Sequence, residues 1–159
     1  MPPQLQRLHA KQELHESEEA FMKRFDFLQL IVGLFSFRTV KDDCGNEYVV
    51  FSDSTITPEI LKNISDKTEF EALENHVHLL DKITKKEFEN ADEVSDILGK
   101  SLLNCLRAKS PDKHFFVYVS VDLKDSMIIR FHQEWENEEP YYKADDDFGK
   151  NTKLFIFHE

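Results

Sequence analysis

Arg130, His132 and Glu134 stand at every second position of "RFHQE", in a segment rich in β-favouring residues. Because side chains two residues apart on a strand point to the same face, we expect all three to lie side by side. A guanidinium, an imidazole and a carboxylate together can bind an anion or carry out acid–base chemistry, since histidine titrates near neutral pH. No nucleophile motif accompanies them, and the same residue types are ordinary partners on a solvent-facing sheet. We therefore favour a solvent-facing strand surface over a catalytic centre.

His76 and His78 form the short motif "HVH". On a strand both imidazoles would point the same way and could hold a metal ion. On a helix, residues two apart diverge by about 200° and cannot share an ion. The apolar positions between Phe70 and Leu80 recur at steps of three, four and three, which favours a helix. We therefore expect no metal ion here, although the choice between helix and strand for residues 74–83 stays open.

Other cofactor motifs are absent from the sequence. The stretch "KADDDFGKN" is similar to a calcium loop, but its three aspartates are consecutive and no glutamate closes the loop. The glycine-rich phosphate-binding patterns G-x-x-x-x-G-K-[ST] and G-x-G-x-x-G do not occur, and the chain has only four glycines. We expect no cofactor, and we interpret this stretch as an acidic loop between two strands.

The strongest candidate for a functional surface is the acidic, aromatic segment that follows the "RFHQE" strand. It contains Trp135, Tyr141 and Tyr142, and tryptophan and tyrosine often anchor protein interfaces. From residue 134 to residue 147, seven acids stand against one base, Lys143, which gives −6 of the chain's net charge of −11. These acids are Glu134, Glu136, Glu138, Glu139, Asp145, Asp146 and Asp147.

This segment predicts a surface that binds a basic protein. The acids would steer the encounter, and the aromatic rings would lengthen the lifetime of the complex. In a simpler interpretation, Trp135 and one tyrosine close the edge of the core while the acids solvate a loop. Binding of nucleic acid or of an anionic membrane is not expected, since the net charge of −11 repels both.

We therefore expect a non-enzymatic, acidic protein-binding domain that masks a basic partner, as inhibitors and immunity proteins mask basic nucleases or toxins. That likeness is one of charge and size only. The alternative is a small metal-dependent or acid–base enzyme that uses His132 and Glu134 with His76 and His78. A third hypothesis is an assembly subunit that docks through an N-terminal amphipathic helix. Oligomeric state is left open between monomer and dimer.

Composition places these candidates on one globular domain of 159 residues. The chain is 40% hydrophobic and has 14 phenylalanines, enough to bury a sizeable core. Its two cysteines, Cys44 and Cys105, form no C-x-x-C pair, and the N-terminus has no apolar stretch typical of a signal peptide. The most apolar run, residues 27–37, is too short to span a bilayer. These features favour the cytoplasm.

The first two thirds of the chain show mostly helical periodicity. An apolar stripe from Phe21 to Phe35 predicts a long helix, and the first ten residues are expected to fray. A hairpin is predicted from residues 35–40 with residues 47–52, and it competes with that helix for residues 32–37. Three further helices are predicted to begin after Thr57, Asp66 and Asn90, the last of them ending near Lys109.

The last third changes to a period of two. "HFFVYVSVD" and "MIIRFHQEW", joined by "LKDS", predict an antiparallel hairpin, and "KLFIFHE" predicts a final strand. We therefore expect a single α+β domain over residues 1–159. Its antiparallel sheet contains the C-terminal hairpin and the last strand, with the earlier hairpin as a further element, and three to four helices cover it.

Overall fold

The computed structural model describes residues 36–158. The predicted N-terminal helix and the fraying of the first ten residues lie outside this part of the chain. The described residues form two antiparallel sheets, of two and four strands, together with four helices. The predicted α+β class is confirmed.

The smaller sheet is the predicted N-terminal hairpin. Strand β1 (Phe37–Lys41) pairs with β2 (Glu47–Phe51), with Phe37 opposite Phe51. The turn between them includes Gly45, whose positive φ of 87° is a conformation that glycine adopts without strain.

The larger sheet has the strand order β3-β5-β4-β6, and all its pairings are antiparallel. Its strands are β3 (His76–Asp81), β4 (Phe115–Asp122), β5 (Ser126–Gln133) and β6 (Thr152–His158). The β4–β5 hairpin and the final strand are confirmed. β6 joins the sheet beside β4, so the connection from β5 to β6, residues 134–151, must pass back across the sheet. We call these residues the acidic connection.

Four helices accompany the sheets: α1 (Pro58–Leu61), α2 (Lys67–Glu74), α3 (Lys85–Glu89) and α4 (Ala91–Lys109). The cap predicted for α2 is present, because the Asp66 carboxylate accepts a 2.7 Å hydrogen bond from the Glu69 amide. The end of α4 is also as predicted: Ser110, just before Pro111, is its C-cap.

Helix α3 was not predicted, and its presence overturns the capping predicted at Asn90. Thr84 and Glu87 form a capping box at the start of α3. Since α3 ends directly before α4, Asn90 lies at the C-cap of the first helix and the N-cap of the second. Its side-chain amide donates to the Lys86 carbonyl at 2.7 Å, so it does not cap α4.

The preferred helix through residues 70–80 is wrong in its second half, because His76–Asp81 is strand β3. Helix α2 ends at Glu74, and the next residue, Asn75, is held by hydrogen bonds to strands β2 and β5. The Asn75 side chain donates to the Val49 carbonyl at 3.0 Å, and its own carbonyl accepts from the Phe131 amide at 3.1 Å. These tertiary hydrogen bonds outweigh the local helical period.

The core lies between α4 and one face of the larger sheet. Leu102 and Leu106 of α4 are fully buried, as are Val117 and Val119 of β4. Within residues 36–158 no helix has the length and hydropathy required to cross a membrane.

Gly99 allows α4 to approach the sheet closely. A Cβ atom at this position would overlap the ring of Phe157 on β6. The absence of a side chain is therefore required for this packing.

Candidate functional site

Arg130 and His132 lie on the face of the sheet opposite α4, as their spacing predicts, but the expectation that they face solvent is wrong. Arg130 is 9% exposed and His132 is 1% exposed. The acidic connection covers them: the Tyr141 amide contacts the His132 ring, and the Arg130 guanidinium lies over the Tyr141 and Tyr142 rings. Strand alternation correctly predicted their shared face, but no local pattern shows what covers that face.

Glu134 does not join the other two residues in a common cluster. It follows the end of β5 and is exposed, with its carboxylate 3.4 Å from Nε2 of His158. The predicted alignment of Arg130, His132 and Glu134 along one strand is therefore interrupted after Gln133, where β5 ends.

The His132 imidazole is fixed as a neutral ring by its hydrogen bonds. Its Nδ1 lies 2.7 Å from the Gln133 carbonyl, and since a carbonyl only accepts, Nδ1 carries the proton. Nε2 then accepts from the Tyr118 hydroxyl at 2.9 Å and from the Tyr141 amide at 3.3 Å. Burial lowers the pKa of His132 below its ordinary value, which also favours the neutral ring. With both ring nitrogens occupied, His132 has no nitrogen available to a substrate.

Tyr118, the partner of His132, is equally enclosed. It is fully buried, and burial raises the pKa of its hydroxyl to about 12. The Tyr142 ring packs edge-on against Tyr118, with ring centres 5.4 Å apart. This tyrosine–histidine pair therefore holds the acidic connection against the sheet.

Trp135 anchors the start of the acidic connection in a second, smaller core. This core includes Tyr48, whose ring centre lies 5.1 Å from that of Trp135, and Phe70 of α2. The indole is half-buried, and the Lys67 ammonium lies 5.0 Å from its ring centre. Its aromatic surface is thus shared between the core and the solvent.

Glu71 is the buried polar residue that sequence reasoning missed. It lies in the middle of α2, is 0% exposed, and accepts hydrogen bonds from the Gln133 amide at 2.8 Å and the Gln133 side chain at 2.5 Å. The Trp135 indole donates to it at 2.9 Å. Burial raises the pKa of Glu71 to about 7, although these donors favour the carboxylate. A glutamate in an acidic helix gives no sequence signal for such a role.

Several acids of the acidic connection form defined local contacts. Glu138 accepts from the amides of Lys67 and Thr68, at 3.3 and 2.7 Å, and so caps α2 alongside Asp66. Glu139 forms an ion pair of 3.2 Å with Lys143.

Two consecutive aspartates of the acidic connection are also engaged, since Asp146 accepts from the Lys143 amide and Asp147 from the Gly149 amide. Glu136 and Asp145 extend into solvent. The acidic connection therefore combines structural acids with exposed ones.

An acidic cleft lies between the start of α2 and the acidic connection. Its volume is about 450 Å³. Four carboxylates, one proline and one tyrosine stand among the residues that line it: Asp66, Glu69, Glu138, Glu139, Pro140 and Tyr141. Two distant parts of the sequence supply these groups, so the cleft could not be identified from either part alone.

His76 and His78 share one face of β3, with ring centres 5.7 Å apart, and both are exposed. Cys44 and Cys105 are free thiols. In the described part of the chain, no three His, Cys, Asp or Glu side chains are grouped so that they could hold a metal ion. The two histidines are therefore an isolated pair of possible ligands.

Comparison with known proteins provides no identification: no family, no curated protein and no solved structure matches this chain.

Proposed function

We propose that this chain is a non-enzymatic, cytoplasmic binding domain whose acidic cleft receives a basic side chain of a protein partner. The observation that carries the proposal is the convergence of four carboxylates on one cleft of about 450 Å³. A lysine or arginine of the partner would find there several acceptors at once, which a flat acidic surface does not offer.

The cleft is preorganised for a cation. The Asp66 and Glu138 carboxylates accept backbone amides at the start of α2, so their positions are fixed before a partner arrives. Burial alone would raise the pKa of Glu138, but the hydrogen bonds from Thr68 and Lys67 outweigh it and hold the pKa below its usual value. Glu138 is therefore ionised at neutral pH.

Counter-charges near the cleft are few. Lys67 lies 3.6 Å from Glu138, and Lys143 pairs with Glu139. Among residues 36–158, no lysine or arginine forms an ion pair with Asp66 or Glu69. A net negative charge is therefore left for a partner to neutralise.

Aromatic and apolar groups beside the carboxylates fit the same type of ligand. Tyr141 and Pro140 form part of the wall, and the long aliphatic stem of a lysine or arginine packs well against such surfaces. The exposed acids Glu136 and Asp145 extend the negative surface beyond the cleft and would accelerate encounter with a basic protein. Masking of a basic nuclease or toxin, as an immunity protein does, is the biological role that this chemistry suits best.

The test is affinity capture from native lysate with wild type and two charge-matched variants. The cleft variant carries Glu69→Gln and Glu139→Gln; the control carries Glu89→Gln and Glu93→Gln. Each pair combines one exposed glutamate three residues after a helix N-cap with one glutamate in a lysine ion pair. We expect a basic protein to be retained by wild type and control but lost from the cleft variant. Equal recovery on all three, or recovery of no basic protein, would contradict the proposal.

A further inference from the structure

His76, His78 and Arg130 come together on the face of the sheet opposite α4. His76 is directly opposite Arg130 in the β3–β5 pairing, and His78 is opposite Ile128. Since directly paired residues project to the same side and His78 is two residues along the strand, all three side chains share that side. This is a local concentration of groups that carry or can carry positive charge, in a chain with a net charge of −11.

Arg130 has an unsatisfied hydrogen-bonding group. It is 9% exposed, and its buried Nε atom has no hydrogen-bond partner. No carboxylate of residues 36–158 forms an ion pair with its guanidinium. Its contacts are with aromatic faces: the guanidinium carbon lies 5.3 Å from the ring centre of Tyr141 and 5.5 Å from that of Tyr142. Aromatic rings attract a cation but accept no strong hydrogen bond, so the N–H donor still lacks an acceptor.

The permanent charge of Arg130 decides which ion the cluster suits. Two histidines on one face of a strand can ligate a metal, but a guanidinium beside them repels a metal cation. The same guanidinium attracts an anion, and its planar array of N–H donors matches the geometry of phosphate oxygens. The Arg130 guanidinium thus changes the interpretation of the "HVH" pair from metal ligands to anion ligands.

The orientation of His76 supports this interpretation. Its Nδ1 is hydrogen-bonded to the carbonyl of Leu73 in α2, so Nδ1 carries a proton and Nε2 is the ring nitrogen left for a ligand. The imidazolium form of His76 would offer Nε2–H as a second donor on the same side of the sheet as Arg130. Asp81 lies 3.8 Å from Nδ1 of His78 and partly offsets the charge at that end of the strand. Arg130 and His76 are therefore the main groups, and His78 is auxiliary.

We propose that this face of β3 and β5 binds a small phosphate-type oxyanion, with Arg130 as its central ligand and His76 and His78 as exposed donors. None of these three ligands lines the acidic cleft, although Tyr141 contacts Arg130 and also forms part of the cleft wall.

Calorimetric titration of the full chain with inorganic phosphate tests it, at constant ionic strength and with chloride as the reference anion. We expect saturable binding of one phosphate, weakened about tenfold or more by Arg130→Lys, which keeps the charge but removes the planar donor array. The double variant His76→Gln and His78→Gln should weaken binding to a similar degree. Both histidines are exposed, so this variant decides the matter even if Arg130→Lys disturbs folding. His158→Gln, on the opposite edge strand β6, is the matched control and should bind as wild type does.

No saturable binding by wild type would overturn the proposal. Equal affinity in wild type and in the double histidine variant would overturn it as well, because phosphate would then bind elsewhere.

Discussion

The indole N–H of Trp135 donates a 2.9 Å hydrogen bond to the buried carboxylate of Glu71. This bond joins the acidic connection to helix α2, which also forms one wall of the acidic cleft. The backbone amide and the side chain of Gln133 donate to the same carboxylate, so the same hydrogen-bond network also holds the end of β5. The cleft therefore rests on a buried polar network, and its geometry depends on that network being intact.

Removing the indole donor should destabilise the fold. We expect Trp135→Phe to lower the free energy of unfolding by about 1–3 kcal/mol, since Glu71 loses a donor inside the protein. Chemical denaturation followed by circular dichroism measures the change. A double-mutant cycle with Glu71→Gln should show that the two effects are not additive. Additivity within about 0.5 kcal/mol would show that the hydrogen bond contributes little.

Glu71 should make the stability depend on pH. Its pKa is about 7 in the folded chain against an ordinary value of 4.5, so the folded state binds more protons between these two values. The free energy of unfolding should therefore fall as the pH rises from 4.5 to 7, by about 3 kcal/mol, and stay level above that range.

The comparison with Glu71→Gln isolates this contribution. The variant cannot ionise at this position, so the difference in unfolding free energy between it and wild type should change across this pH range. A difference that is independent of pH would contradict the raised pKa.

His132 should make the stability depend on pH in the opposite direction to Glu71. Its pKa is lowered by burial, so the unfolded chain binds a proton below the ordinary value of 6.5 while the folded chain still resists it. Stability due to His132 is therefore present above pH 6.5 and is lost as the pH falls through its folded pKa. A protonated Nε2 would face the Tyr141 amide, which is also a donor, so acid should release this part of the acidic connection.

Nuclear magnetic resonance titration of the His132 ring, together with Trp135 fluorescence, measures this effect. The ring should resist protonation until the tryptophan signal also changes. Titration of His132 near 6.5 in the fully folded protein would show that the environment described for it is incorrect.

Gly99→Ala should destabilise the domain even though alanine is the better helix former. The added methyl group would overlap the Phe157 ring, and we expect a loss of about 1–3 kcal/mol in the free energy of unfolding. Ser101→Ala on the same helix is the control, expected to change stability by no more than about 0.5 kcal/mol. Adding Phe157→Leu should recover part of the loss. An unchanged or increased stability for Gly99→Ala would contradict the close packing.

The elements that could be predicted are those defined by local patterns. The strict alternation in β4 and β5 and the Asp66 cap of α2 depend on neighbours in sequence, and the structure confirms them. Residues 76–81 form a strand because Asn75 is held by hydrogen bonds to two strands, and that information lies in other parts of the chain.

The candidate sites were predictable only in part. Alternation placed Arg130 and His132 on one face, but their burial results from the acidic connection, which returns over the sheet to reach β6. The acids of that connection were identified as a group, whereas Asp66 and Glu69 join them only through the fold. The proposed binding of a basic partner and the role of Trp135 in it stay predictions.

The most direct test of the central claim is the affinity of the acidic cleft for a basic probe. An octa-arginine peptide would be titrated into wild type, the Glu69→Gln and Glu139→Gln variant, and the Glu89→Gln and Glu93→Gln control, at about 50 and about 200 mM salt. We predict that the cleft variant binds roughly tenfold more weakly than wild type at the lower salt, that the control stays within about twofold, and that salt weakens all three. Equal losses in the two variants, or binding indifferent to salt, would contradict a specific acidic cleft.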